Sequence, residues 1–415
     1  MGVLLDLTPL RVSPDFRRLW MGQAVSFVGS TITMAALPYQ VFHQTGSSLA
    51  VGLLGVAQLV PLLACSLMGG ALADSLDKRT LLLAVTAGQL ACALALAGNA
   101  SLDQPRLWLL YVLGGVASAL FALSFPVLRS LLPLLLDEPL RPAAFALQST
   151  YGSFGMMVGP ALGGVVIGGL GLATAYGIDV ATYVLALVAF AGVASAPPLA
   201  GGRASAASII EGLRFLRGRS VIVSVFTIDL LAMVFGMPRA LFPALAERLG
   251  GGAATYGLLL SSVASGAFLA SLFSGWSGRV VRHGRAVVLS VAAWGTAIAV
   301  VGLTRVPAVV MAMLACAGAA DMISGIYRST IAADITPDDM RGRVSGVEIA
   351  VYAGGPVLGD VEAGVVGGLV GLPFAIVSGG VACVLGAAAF AAWVPSFSRY
   401  ARPNRSHRPE VAVDG

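Results

Sequence analysis

The sequence predicts an all-α membrane protein: twelve transmembrane helices in two pseudo-symmetric six-helix bundles. Three observations carry that prediction: charge is scarce, apolar runs are long, and the chain repeats internally. Of 415 residues, 25 are basic and 20 acidic, 11% together, whereas 57% are hydrophobic. A soluble domain carries about 25% charge. A water-facing surface could not accommodate so much apolar area. Soluble enzymes, nucleic-acid binders and disordered chains are thereby excluded. A net charge of +5 is too small and too scattered to imply a polyanion partner.

A spanning helix needs about 20 mostly apolar residues. Twelve such runs lie between charges and Pro/Gly punctuation. The first, 18–42, follows Arg17, and the second, 48–73, stops at Asp74. The third, 80–98, follows Lys78 and Arg79, and the fourth, 107–133, follows Arg106. Arg141 precedes the fifth, 142–168, and Gly171 the sixth, 172–194. Arg219 precedes the seventh, 221–246, and a Gly250–Gly252 run the eighth, 255–277. The ninth, 285–304, and tenth, 306–333, meet at Arg305. The eleventh, 343–368, and twelfth, 371–394, end the apolar part before Pro395. These runs are continuous and lack the alternation of barrel strands.

The expected organisation is a cytoplasmic segment 1–17, a first bundle 18–194, a linker 195–220, a second bundle 221–394 and a basic tail 395–415. In the linker, Ile209, Leu213 and Leu216 recur at helical spacing, away from Glu211, Arg214 and Arg217. That pattern predicts an amphipathic helix on the inner membrane surface. With the amino terminus inside, 19 bases fall on inner segments and only Arg106, Arg248 and Arg305 on outer loops. Basic loops stay cytoplasmic, so both termini are expected there, in a multi-pass cell-membrane protein. No cleavable leader is predicted.

The halves repeat at an offset of about 200. VLRSLLP around Arg129 matches IYRSTIA around Arg328, and Gly159-Pro160 matches Gly355-Pro356. Asp137, Glu138 and Arg141 match Asp338, Asp339 and Arg341. Repeated bundles with a central site are the plan of many secondary transporters. Cys65, Cys92, Cys316 and Cys383 lie in apolar stretches without CxxC or Cys/His spacing. No metal, disulfide or cofactor is expected, and no GxxxxGK[ST] loop points to ATP.

The loop GGALADSLDKRTLLL resembles the signature of the major facilitator superfamily, with Gly70, Leu72, Ala73, Asp74, Lys78 and Arg79 matching. Ser75 and Asp77 replace the usual arginine and glycine. Gly70 allows close helix packing. Asp74 can latch the cytoplasmic face by accepting hydrogen bonds or pairing with a base. Helix five carries GSFGMMVGPALGG, similar to the glycine-proline motif of exporters: Gly155, Gly159 and Gly163 share a face, and Pro160 bends the helix. LTPLRVSPDFRRLWMGQAVSFVG, LPYQVFHQTGSSLAVGLLG, IDLLAMVFGMPRALFPALAERLGG and LGDVEAG resemble the enterobactin-exporter-like branch. The resemblance implies the major facilitator fold and export of amphipathic, siderophore-like or drug-like molecules, often against protons. It implies a transporter, not an enzyme, with small substrate, protons and lipids as partners and a monomer as sufficient unit.

Six acids fall at expected membrane depth: Asp179, Asp229, Asp321, Glu348, Asp360 and Glu362. Each costs about 2.5–3.5 kcal/mol at a helix centre and should face the bundle interior. Asp229 and Asp321 are the first proton-coupling candidates, with Asp360 and Glu362 next. Helical geometry puts Asp360 about 160° from Glu362, so the two do not share a cavity. Asp321 and Arg328 share a face about 10 Å apart in rise, which predicts that they bracket a pocket rather than pair. Arg129 and Arg328 are symmetry-related bases. They belong either to a proton relay or anionic-substrate site, or to the inner leaflet as snorkelers and latch partners. Phe27, Tyr39, Gln40, Tyr151, Phe154, Phe235 and Met237 are candidate cavity walls. Two rivals remain open: a proton-independent facilitator or lipid flippase of the same fold, and a non-transporting membrane sensor.

Overall fold

A computed structural model describes residues 5–195, 220–337 and 340–401; the side chains of 67–75, 129, 341–343, 345–346 and 349 lie outside the description. The expected linker helix, the basic tail, the Asp338-Asp339 pair and the side chains of Gly70, Asp74, Arg129 and Arg341 therefore fall outside it. The described residues form twelve long helices and no strand. They are α1 (Pro14–Thr45), α2 (Ser48–Ser75), α3 (Lys78–Ala100), α4 (Leu107–Leu135), α5 (Arg141–Leu170) and α6 (Leu172–Ala191). The second half comprises α7 (Ser220–Gly236), α8 (Ala253–Leu272), α9 (His283–Leu303), α10 (Pro307–Ile335), α11 (Arg341–Val370) and α12 (Leu372–Trp393). Among the described residues, eleven helical segments are long and apolar enough to cross a membrane. The remaining helix, α11, has 30 residues, ample length to span, but carries Glu348, Asp360 and Glu362.

One end of the molecule carries the start of α1 and the end of α12; this is called the terminal face, and its opposite the distal face. Helix ends on the terminal face are tied by side chains. Asp77 caps α3, accepting from Thr80 N at 2.8 Å, and also accepts from Ser195 Oγ at 2.7 Å. The departure from the family loop at position 77 is therefore a helix cap. Arg79 donates to the carbonyl of Ala191, and Arg18 to that of Gly192 at 2.7 Å. Two bases thus satisfy the free carbonyls at the C-terminus of α6, where the helix dipole favours cations. Lys78 is 1% exposed, and its Nζ finds no hydrogen-bond partner among the described residues.

The repeat is visible in the turns and seams. Gly171 (φ 86°) joins α5 to α6, and Gly371 (φ 105°) joins α11 to α12. Both adopt the left-handed conformation that only glycine takes without strain. The bundles meet along two seams, α5 against α8 and α2 against α11. A β-carbon at Gly164 would lie 3.0 Å from the Gly257 Cα, and one at Gly364 would lie 2.8 Å from the Leu49 Cα. Backbones touch there, which only glycine permits. Both seams close in the distal halves of their helices. Beside the first, Tyr39 of α1 packs on Tyr256 of α8 at 5.7 Å between ring centroids.

The seventh apolar run is not one continuous helix. α7 stops at Gly236, a tight turn spans Arg239–Leu241, and a short helix follows over Phe242–Arg248. Pro238 has no N–H to continue the ladder. The groups freed by the break are satisfied from neighbouring helices: Trp294 Nε1 donates to the Gly236 carbonyl at 2.5 Å, and Asp360 Oδ1 accepts from Ala240 N at 2.8 Å. Buried breaks are tolerated in membranes on that condition.

Candidate functional site

The second bundle holds a charge cluster built by three helices. Arg328, on α10, is 3% exposed. It forms an ion pair with Asp229 of α7, which is also 3% exposed. Its second nitrogen donates to Asp321 Oδ1 at 3.5 Å. The Asp321 side chain is 46% exposed, so one guanidinium joins a sealed carboxylate to an accessible one. Tyr352 of α11 presents its ring 5.8 Å from the guanidinium carbon, and Glu348 lies within electrostatic reach. A cavity lined by Met233, Met237, Trp294, Asp321, Ser324 and Arg328 adjoins the cluster.

This arrangement corrects the expectation that Asp321 and Arg328 only bracket a pocket. The arginine side chain leans toward the helix N-terminus and covers the rise of two turns. Arg328 is turned into the bundle rather than toward lipid. Asp229 and Asp321 are brought together; Asp360 and Glu362 are not part of the group. Asp360 caps the turn after α7 and lies 3.9 Å from Arg239. Glu362 is half-buried and makes no ion pair or hydrogen bond among the described residues.

Among the described residues of the first bundle one acid is buried, Asp179, 2% exposed on α6. It accepts from Thr33 Oγ1 at 2.6 Å and from Thr182 Oγ1 at 3.4 Å. It has no ion pair among the described residues. The glycine-proline motif packs α5 on α1: Gly155 faces Phe27, Gly159 faces Thr31, and Gly163 lies against Ile32. Pro160 sits inside an unbroken α5, its carbonyl against Gly257 across the seam. Of the expected cavity walls, Phe27 and Tyr151 line a cavity in the first bundle and Met237 one in the second. Gln40 instead is buried and accepts from the Tyr176 hydroxyl at 2.7 Å. Sequence reasoning missed Tyr352 over Arg328. Its spacing of four from Glu348 on one helix was the available signal.

A family model described as transmembrane secretion effector matches residues 5–414. The enterobactin exporter EntS of Citrobacter koseri is 29% identical over 374 residues, 88% of each chain. That of Escherichia coli O1:K1 is 28% identical over the same length and share. Among solved structures, the nucleoside transporter NupG superposes with a TM-score of 0.76 at 12% identity, over 91% of this chain and 99% of that one. A bacterial homologue of the lysosomal transporter Spinster, inward-facing and unoccupied, gives 0.71 at 16% identity, over 94% and 98%. The fold is therefore that of the major facilitator superfamily, whose proteins are transporters rather than enzymes. With the sequence matched nearly end to end and the twelve-helix architecture in place, the chain belongs to the transmembrane secretion effector family of that superfamily.

Proposed function

We propose that this transporter exports amphipathic small molecules, siderophore-like or drug-like, by alternating access in exchange for protons. The observation that carries the coupling is the sharing of Arg328 between Asp229 and Asp321. A proton delivered through the cavity to the half-exposed Asp321 removes one of the two anions. Arg328 then belongs to Asp229 alone, and the contacts among α7, α10 and α11 change. Loss of that proton reverses the step. A two-state element biased by protonation is what a coupled carrier requires. The relatives named as enterobactin exporters support the siderophore-like cargo. The glycine-proline motif supports outward transport, and the 19-to-3 distribution of bases supports a cytoplasmic terminal face. The protein acts in the cell membrane, and one chain supplies both halves of the site, so a monomer suffices.

The test uses everted membrane vesicles with enterobactin as first probe. Wild type should accumulate it when the lumen is acid and stop when a protonophore collapses the gradient. Asp229→Asn and Asp321→Asn should lose the gradient dependence. Accumulation indifferent to the gradient would overturn coupling and favour a facilitator. Movement of a fluorescent phospholipid instead of the siderophore would favour a flippase.

A further inference from the structure

Within the first bundle, α1, α3, α4, α5 and α6 enclose a cavity of about 360 Å³ whose described lining residues are all uncharged. Aromatic rings, hydroxyls and carboxamides make up most of its wall. Phe27 and Tyr151 meet edge-on at 5.9 Å on one side, and Phe121 and Phe125 at 5.1 Å on another. Of the wall hydroxyls, those of Ser26, Ser30, Thr86, Ser124 and Tyr183 are engaged, whereas those of Ser149 and Tyr151 make no hydrogen bond among the described residues. Ser30 is bonded to the Ser26 carbonyl and the Tyr183 hydroxyl, both at 2.8 Å. Thr86 and Ser124 bond back to their own helices at 2.8 and 3.2 Å. The carboxamides of Gln23, Gln89 and Gln148 are unengaged as well. They come from three helices, line the same cavity, and make no hydrogen bond among the described residues.

Each carboxamide offers one acceptor and two donors. Three of them with unfilled capacity stand half-buried among ring faces and edges around one cavity. They suit a ligand that is flat and itself hydrogen-bonding. We infer that this cavity is a binding subsite for an aromatic ring bearing amide or hydroxyl substituents, held by Gln23, Gln89 and Gln148 against the two ring pairs. The inference rests on the transport reading for its purpose and narrows the cargo to polar aryl compounds. It divides the work: the first bundle recognises the ring and its polar groups, and the second handles charge.

The test is equilibrium binding to the purified full chain in lipid nanodiscs, without any gradient. The probes are N-benzoylglycinamide and its cyclohexanecarbonyl counterpart, which keeps the amides and loses the ring. Saturable binding of the benzoyl probe is expected, with clearly weaker binding of the cyclohexyl one. Gln89→Leu and Gln148→Leu should each weaken the benzoyl probe roughly three- to tenfold, the worth of one hydrogen bond. The two variants lie on separate helices, and the ring comparison needs no variant at all. Equal affinity for both probes, wild-type affinity in both leucine variants, or no saturable binding would each overturn the subsite. Failure here with gradient-driven siderophore transport intact removes only the subsite. Intact binding with gradient-independent transport removes only the coupling.

Discussion

Arg328 is held by two acids of unequal standing, and the inequality is measurable. Its partner Asp229 is sealed in the bundle, whereas Asp321 is nearly half exposed. Removing one member of a buried pair leaves an uncompensated charge and costs about 3–5 kcal/mol. Asp229→Leu should therefore lower stability by about that much in denaturant unfolding of the detergent-solubilised protein, and adding Arg328→Met should recover most of it. Asp321→Leu should cost clearly less, because Asp321 is nearly half exposed and Arg328 keeps Asp229 as its partner. Equal costs for the two acids would contradict the asymmetric sharing. The sequence made each of these residues conspicuous because charge is rare in spans. It could not pair them. Asp229 joins through tertiary packing that no spacing encodes. The direct contact of Asp321 with Arg328 escapes helical spacing because axial rise locates backbones, while arginine reaches along the helix.

At the level of the helix, the break after α7 and the two seams decide what can move. The break was hidden in an apolar run, since length and hydropathy do not register where the hydrogen-bond ladder stops. Gly236 and Pro238 were the available signals. Asp360, a proton-coupling candidate by depth alone, serves in the structure as the acceptor for Ala240 N. Asp360→Asn keeps an acceptor and should retain gradient-driven transport. Asp360→Leu strands that N–H and should cost about 1–3 kcal/mol. A thermal melt and the vesicle assay distinguish these outcomes, and loss of coupling in the asparagine variant would return Asp360 to the proton path. The α2–α11 seam provides a mechanical test. A β-carbon at Gly55 would lie 3.9 Å from Val357 Cβ, within the span of a disulfide. Gly55→Cys with Val357→Cys, in a background lacking the four native cysteines, should cross-link on oxidation. Transport should stop and return with reductant. Full transport by the cross-linked protein would mean that the distal seam need not open.

At the scale of the molecule, the twofold plan was the most legible feature, because the same constraint acts twice. Landmarks about 200 residues apart reappear as matched turns at Gly171 and Gly371 and matched seam glycines at 164 and 364. What the repeat conceals is how far the halves diverge in chemistry. The second bundle buries a guanidinium between carboxylates; the first buries Asp179 among threonine hydroxyls and sets three free carboxamides in an aromatic cavity. Such divergence arises by side-chain substitution on a fixed backbone plan, so apolar periodicity does not report it. The direction of transport depends on which face looks into the cytoplasm, because the seams close the distal side in this conformation. If the terminal face is cytoplasmic, the cavity is loaded from inside and an acid exterior drives export. A fluorescent protein fused after Gly415 should then glow, and alkaline phosphatase placed there should be inactive. Phosphatase inserted at Gly251, in the distal turn before α8, should be active. The reverse pattern would invert the molecule, turn the same proton gradient against export, and require the glycine-proline helix to serve uptake instead.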